Sequence, residues 1–299
     1  MNIYFRSAGA TLKINVNDEI GKELLILKFA FDYIPDLSIV TEEVAFDGQV
    51  DLIEGNPFFF GFDGSIGKIK FDIDKNLGIK DLVTLLEYCL EYLRQMKGVY
   101  CLHGSAVSIN GKGVWFMGPV SGLGKTTVAL NMCLEGGAKF IGDEKILLGS
   151  NIQIIGGVKN VNYNKEALVK SLPVDFDNKT SEDLSKFINM EGEPVPLEFI
   201  VLPLLFEGSG KIETEKWEIN KASFHLYEEM SRKIRGGSRR IQNSTVPIPS
   251  IDTMEISVKR SDLANKIVDN VPIYFMKGNL EEIIKKILEV IDGDKSKIT

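Results

Sequence analysis

Histidine and cysteine are scarce in this chain, with two and three residues among 299. His103 and His225 are too few for a histidine-rich metal centre. Cys89, Cys101 and Cys133 form an odd set with no C-x-x-C pair, so reduced, buried thiols in a cytoplasmic protein are expected in place of a disulfide framework or a zinc site. Long apolar runs are missing as well. Glu198 precedes the apolar stretch 199–202 and Lys28 interrupts 25–31, so nothing approaches the roughly 18 apolar residues that a membrane span needs. The first residues, Met1-Asn2-Ile3-Tyr4-Phe5-Arg6, do not predict a signal peptide. Positive charge is in deficit: 35 Lys+Arg face 42 Asp+Glu, a net charge of −7, which argues against a protein that coats nucleic acid. Glycine and proline, at 28 and 10, are too few for a fibrous or low-complexity chain, and 44% apolar residues are too many for disorder.

What is present divides in two. Residues 1–97 read as a small strand-rich accessory domain. Leu12, Ile14 and Val16 alternate with polar residues, as do Ile69, Phe71 and Ile73. The aromatic run Phe58-Phe59-Phe60 is expected to be a buried strand. A helix over 79–96 carries Leu82, Leu85, Leu86, Cys89, Leu90 and Leu93 on one face, and Lys97-Gly98 marks its end and the domain boundary. Residues 98–299 form the second domain. Its Asn110-Gly111 pair between two apolar runs predicts a type I′ hairpin. A strand is expected over 197–206, polar irregular segments over 174–196 and 207–249, and a last helix opening with the Asn279–Glu282 capping pair.

The strongest signal is Gly118-Pro119-Val120-Ser121-Gly122-Leu123-Gly124-Lys125-Thr126-Thr127, with an apolar strand before it and a helix after it. Glycines let the main chain bend and bring several N–H groups to one phosphate. Lys125 suits the β- and γ-phosphates, the Thr126 hydroxyl suits Mg²⁺, and the helix directs its N-terminal dipole at the anion. Relative to G-x-x-x-x-G-K-[ST], Pro119 occupies the first glycine position and Gly118 stands one residue earlier. An apolar strand then ends in Asp143-Glu144, 18 residues beyond Lys125. One acid can accept a proton from an attacking hydroxyl, the role favoured for Asp143, and the other, Glu144, can hold Mg²⁺.

His103-Gly104, the Asn-Gly hairpin, the G-x-G-K-T loop, Gly136-Gly137 and the strand into Asp143-Glu144 together resemble the catalytic domain of HPr kinase/phosphorylase and the HPr-kinase-related proteins. The similar block spans about 101–148, with a weaker echo in 271–275 and the last helix. The resemblance implies an α/β (α+β) fold with a phosphoenolpyruvate-carboxykinase-like P-loop core. It also implies phosphoryl transfer from ATP, with Mg²⁺, to a hydroxyl, typically a protein serine, and homo-oligomeric assembly. By the same resemblance Asp143 is the base, Glu144 stands where a second Asp is usual, and His103 is their neighbour. The loop is one residue longer between Gly118 and Gly122 than the family's usual pattern, and its later metal-binding segment has no clean counterpart here.

Seven arginines occur in the chain, and Arg232, Arg235, Arg239 and Arg240 cluster around Gly236-Gly237-Ser238 with Lys233. Arginine forks suit phosphate oxygens, so Arg235 or Arg239 is a candidate to stabilise transferred charge. Without interleaved aromatics the cluster does not read as a nucleic-acid site. Three functions are in view: a kinase acting on a protein or peptide serine, a P-loop kinase acting on a metabolite, and a nucleotide-binding regulatory protein without transfer.

Overall fold

The computed structural model describes residues 1–73, 77–161, 182–183, 188–206, 208, 211–236 and 248–291. It is a mixed α/β protein with two principal sheets, and among the described residues no helix is long and apolar enough to cross a membrane. The chain separates into two compact units. Unit 1 comprises Met1–Cys101 and Tyr227–Asp262, and unit 2 comprises Leu102–Leu226 and Leu263–Thr299.

Unit 1 is built on strands β1 (Asn2–Ser7), β2 (Ala10–Asn15), β3 (Ser38–Val40), β4 (Gly48–Glu54), β5 (Phe59–Phe62) and β6 (Ile66–Phe71). They form one sheet in the order β3-β1-β2-β4-β6-β5. Helices α1 (Asp18–Ile26), α2 (Lys28–Tyr33) and α3 (Ile79–Met96) accompany it, and strand β7 (Val99–Leu102) follows. The alternation read at 12–14 is the inward row of β2: Leu12 and Ile14 pack with Ile3, Phe5, Val50, Ile69 and Phe71 in one core. The aromatic run differs from expectation. β5 is an edge strand, and because side chains alternate between faces Phe58 and Phe60 pack against the core while Phe59 is 51% exposed.

Helix α3 has the predicted bounds and the predicted apolar face, yet its polar face is buried too. Asp81, Glu87, Glu91, Arg94 and Gln95 are all closed off from water. Part of that cover comes from Met230, Ile234, Pro249 and Arg260. Tyr88 Oη donates to the carbonyls of Ile234 and Pro249, Gln95 Nε2 donates to the Met230 carbonyl at 3.0 Å, and Arg260 donates to Gln95 Oε1 at 2.9 Å. A segment that the sequence reading assigned to the second domain therefore lies in the N-terminal unit, held by these polar contacts and by Ile234, Ile248, Ile251 and Ile256, which join the unit 1 core.

Unit 2 contains strands β8 (Gly104–Ile109), β9 (Lys112–Met117), β10 (Lys139–Gly142), β11 (Ile146–Gly149), β12 (Gln153–Gly157), β13 (Asn160–Val161), β14 (Glu182–Asp183), β15 (Val195–Leu205), β16 (Glu213–Lys216) and β17 (Ile273–Gly278). Helix α4 (Lys125–Glu135) follows β9. Helices α5 (Ile219–Ser231) and α6 (Met254–Asn270), which the division into units splits at Tyr227 and Leu263, come next, and α7 (Leu280–Ile291) is last. The β8–β9 hairpin turns on Asn110 and Gly111, both at positive φ as a type I′ turn requires. β9 runs parallel to β15, and β15 parallel to β17. Val128, Ala129 and Met132 of α4 pack with Val107, Phe116 and Val201. In α7, Ile283 and Ile287 join the same core, and Asn279 Oδ1 caps the helix by accepting from Glu282 N–H at 2.9 Å. The segment 207–249, expected to be irregular, contains β16 and α5. In α5 the apolar residues Ala222, Leu226 and Met230 are buried in a stripe, whereas Phe224 between them is 62% exposed. Cys89, Cys101 and Cys133 are unpaired. Burial raises all three thiols, Cys101 to about 11 and Cys133 to about 12, which keeps them protonated and unreactive.

The buried cluster on α3 sets a stability test. Arg94 donates to Glu87 Oε1 (2.8 Å), Glu91 Oε2 (2.8 Å) and Ser7 Oγ (2.8 Å). Burial works against its charge, but Glu87 and Glu91 hold its pKa above the ordinary arginine range. Removing Arg94 strands two buried carboxylates, so Arg94→Ala is expected to lower urea-unfolding stability by about 3–5 kcal/mol. Lys97→Ala, which breaks the half-exposed pair with Asp47, is expected to cost under about 1 kcal/mol. Equal losses for the two variants contradict this account of α3.

Candidate functional site

Three strand ends converge in unit 2, and register explains why. In the hairpin Gly104 stands opposite Met117, so the start of β8 meets the end of β9. β10 runs antiparallel to β8 with Gly142 opposite Ala106, which brings the end of β10 to the same edge. The glycine-rich loop leaves β9 there, and α4 begins there. Gly104 is required at this junction: its φ is +150°, and a Cβ would lie 2.2 Å from the Phe116 carbonyl oxygen and 2.5 Å from Trp115 Nε1. The His103-Gly104 step thus has a steric reason.

The loop itself has the expected character. Gly122 and Gly124 adopt φ of +86° and +97°, and a Cβ on Gly124 would strike Leu205 at 2.4 Å. Leu205 ends β15, parallel to β9, and its N–H donates to the Leu123 carbonyl at 3.2 Å, tying the loop to a second strand end. Gly118 approaches the Leu123 side chain, while Pro119, Val120 and Ser121 are exposed at the tip. Gly124 is the N-cap of α4 and supplies no side-chain cap, so the first amides, at Lys125, Thr126 and Thr127, head a helix whose dipole favours an anion. Lys125 is buried, with Nζ donating to the Val120 carbonyl at 2.8 Å.

Asp143 is the centre of the arrangement. Its N–H donates to the Val158 carbonyl at 2.9 Å, and its own carbonyl accepts from Lys145 N–H at 2.7 Å. The close approach this needs is allowed by glycine, since a Cβ on Gly142 would lie 2.8 Å from the Gly157 Cα. The carboxylate, 1% exposed, accepts from Thr126 Oγ1 at 2.9 and 3.1 Å through its two oxygens, and from Ser105 Oγ through Oδ1. Burial pushes its pKa up to about 6, with Glu144 adding to the rise and the Ser105 and Thr126 hydroxyls opposing it. Glu144 points elsewhere: its side chain is 51% exposed, its φ is +62°, and its Oε2 lies 3.4 Å from His103 Nδ1. His103 Nδ1 is also 3.2 Å from the Glu144 carbonyl oxygen.

The structure therefore brings Thr126 and Asp143 together beside the loop, and joins His103 to Glu144. It adds Ser105, which no sequence signal marked, since β8 carries a second buried serine at 108. Arg235 belongs to unit 1, where it pairs with Glu228 at 2.8 Å and Asp252 at 3.4 Å. Arg239 lies outside the described residues, as does Arg240. Among the described residues no group of three or more His, Cys, Asp or Glu is placed to hold a metal. The Thr126 hydroxyl and Asp143 carboxylate are instead hard oxygen donors of the kind that suits Mg²⁺ shared with phosphate oxygens. No family model matches the chain, and no curated protein matches it in sequence.

The raised pKa of Asp143 has a measurable consequence. Its folded value of about 6 stands above the ordinary 3.8, so between these values the unfolded chain holds fewer protons. The stability tied to the protonated carboxyl is complete below about 3.8 and is lost as pH rises through about 6. In metal-free buffer, Asp143→Asn is expected to resist urea better than the parent at pH 7.5, by about 1–3 kcal/mol, with the advantage shrinking toward pH 4.5. An advantage independent of pH contradicts the burial of a charged carboxylate here.

Proposed function

We propose that unit 2 is a P-loop nucleotide-binding domain of the phosphoenolpyruvate-carboxykinase-like type, and that it transfers the terminal phosphoryl group of ATP to a hydroxyl. A serine of a protein or peptide is the favoured acceptor, in the cytoplasm, where three unpaired thiols stay reduced. One observation supports the reading above the rest: the buried Asp143 carboxylate meets the Thr126 hydroxyl at 2.9 Å, in the first turn of the helix that follows the glycine loop.

In this reading the amides of 122–127 and Lys125 hold the phosphates, and Lys125 leaves the Val120 carbonyl to do so. Mg²⁺, which Thr126 and one carboxylate oxygen of Asp143 would hold, would neutralise charge on the phosphate oxygens. The other carboxylate oxygen of Asp143 takes the proton of the acceptor hydroxyl as that hydroxyl oxygen bonds to the γ-phosphorus. The β–γ bridging bond breaks and ADP leaves. His103 steadies Glu144 at the rim.

A second reading, nucleotide binding without transfer, draws on the same contacts, because hydroxyl donors already engage both oxygens of Asp143. Incubation with γ-labelled ATP, Mg²⁺ and either extracted proteins or a metabolite pool separates the readings and the two acceptor classes. Label is expected on protein, and Asp143→Asn is expected to lower transfer at least about 100-fold while ATP affinity stays within a few-fold. Unchanged turnover in that variant removes Asp143 as base. Nucleotide binding with no labelled product from either pool leaves the regulatory reading.

A further inference from the structure

The proposed reaction leaves one buried polar group of the site unused, the Ser105 hydroxyl. Every residue of β8 is buried. On the side facing α4 the alternate positions are Ser105, Val107 and Ile109, of which the last two belong to the apolar core with Val128 and Met132. A small apolar residue would suit the packing at 105, and a hydroxyl withdrawn from water there is unfavourable unless it is hydrogen-bonded. Its bonds run to functional groups on two other elements. Ser105 Oγ donates to Asp143 Oδ1, just beyond β10, and lies 3.4 Å from Thr126 Oγ1 in the first turn of α4.

We infer that Ser105 is the positioning residue of this site, its hydroxyl holding the Asp143 carboxylate in register with the Thr126 hydroxyl so that the two present a divalent cation with preset oxygen donors. This rests on the reading of 118–127 as a nucleotide and Mg²⁺ site. The main chain of Asp143 is already fixed at both its N–H and its carbonyl, so rotation of the side chain is the freedom that remains. Thr126 alone restrains it weakly, since that hydroxyl has one proton and its oxygen is the atom a cation draws upon. Ser105 anchors Oδ1 from a strand whose backbone is paired on both sides, to β9 and to β10. Groups that orient a metal's ligands in this way commonly change affinity or activity 10- to 100-fold when removed.

The test compares the parent with Ser105→Ala and Ser105→Thr in the whole chain. One readout is Mn²⁺ binding, followed by electron paramagnetic resonance with a non-hydrolysable ATP analogue, and the other is the steady-state kinetics of transfer. Ser105→Ala is expected to weaken Mn²⁺ binding about 10-fold and to lower kcat about 10- to 100-fold, with KM for ATP within about 3-fold. Ser105→Thr, which keeps the hydroxyl, is expected to recover most of both. An alanine variant that melts earlier yet keeps parental Mn²⁺ affinity and kcat overturns the inference, because the hydroxyl then only satisfies the core. A folded threonine variant that stays at the alanine level overturns it too, and if threonine does not fold the alanine result decides alone. If the parent transfers no phosphate but alanine still weakens Mn²⁺ binding, the transfer reading falls and the positioning role stands. If the parent binds no Mn²⁺ with nucleotide, both fall.

Discussion

A carboxylate withdrawn from water must be held by donors, and the way Asp143 is held organises the rest of unit 2. Its donors come from a strand, Ser105, and from a helix start, Thr126, while its main chain is pinned by Val158 and Lys145. None of these contacts is available unless β8, β9 and β10 end at one edge, which the antiparallel registers about Gly104–Met117 and Ala106–Gly142 bring about. Glycine at 104, 124, 142 and 157 then admits backbones and side chains closer than any Cβ would permit. The site is in this sense a consequence of strand pairing plus missing side chains, with few polar groups added on top.

Unit 1 depends on a different buried polar assembly. Arg94, Glu87, Glu91 and Gln95 line one side of α3, and the hydrogen bonds of Gln95 and Tyr88 draw in Met230, Ile234, Pro249 and Arg260. Charged side chains on a helix face ordinarily mark solvent. Here they mark the seat of a segment distant in sequence, which is why the boundary at 97/98 describes the chain order and not the division into compact units.

These two assemblies explain what could be read from the residues and what could not. The α3 helix, the Asn-Gly hairpin, the strand–loop–helix about Lys125 and the Asn279 cap were all legible, because each is set by local periodicity, turn chemistry or capping. The edge position of β5 was not legible, since pairing partners and not propensity decide which face of an aromatic run is covered. Nor was α5, where Ala222, Leu226 and Met230 are buried but the apolar Phe224 between them is exposed. Within the site, Lys125, Thr126 and Asp143 were recognisable from spacing. Ser105 was not, because a serine in an apolar strand acquires meaning only from what stands opposite it. Arg235 shows the converse: a basic cluster suggestive of phosphate is, at that residue, occupied by Glu228 and Asp252.

The chemistry open to unit 2 follows from one shared position, where an uncapped helix start, a lysine and a carboxylate–hydroxyl pair meet. An anion suits the first two and a hard cation suits the third, and a nucleoside triphosphate with Mg²⁺ satisfies all of them together. Calorimetric titration of the chain with ATP, with and without Mg²⁺, beside Lys125→Met, tests that assignment most directly. Saturable one-site binding that Mg²⁺ strengthens and Lys125→Met abolishes is the predicted result. An absence of binding by the parent, or binding that is unchanged in Lys125→Met, would contradict it.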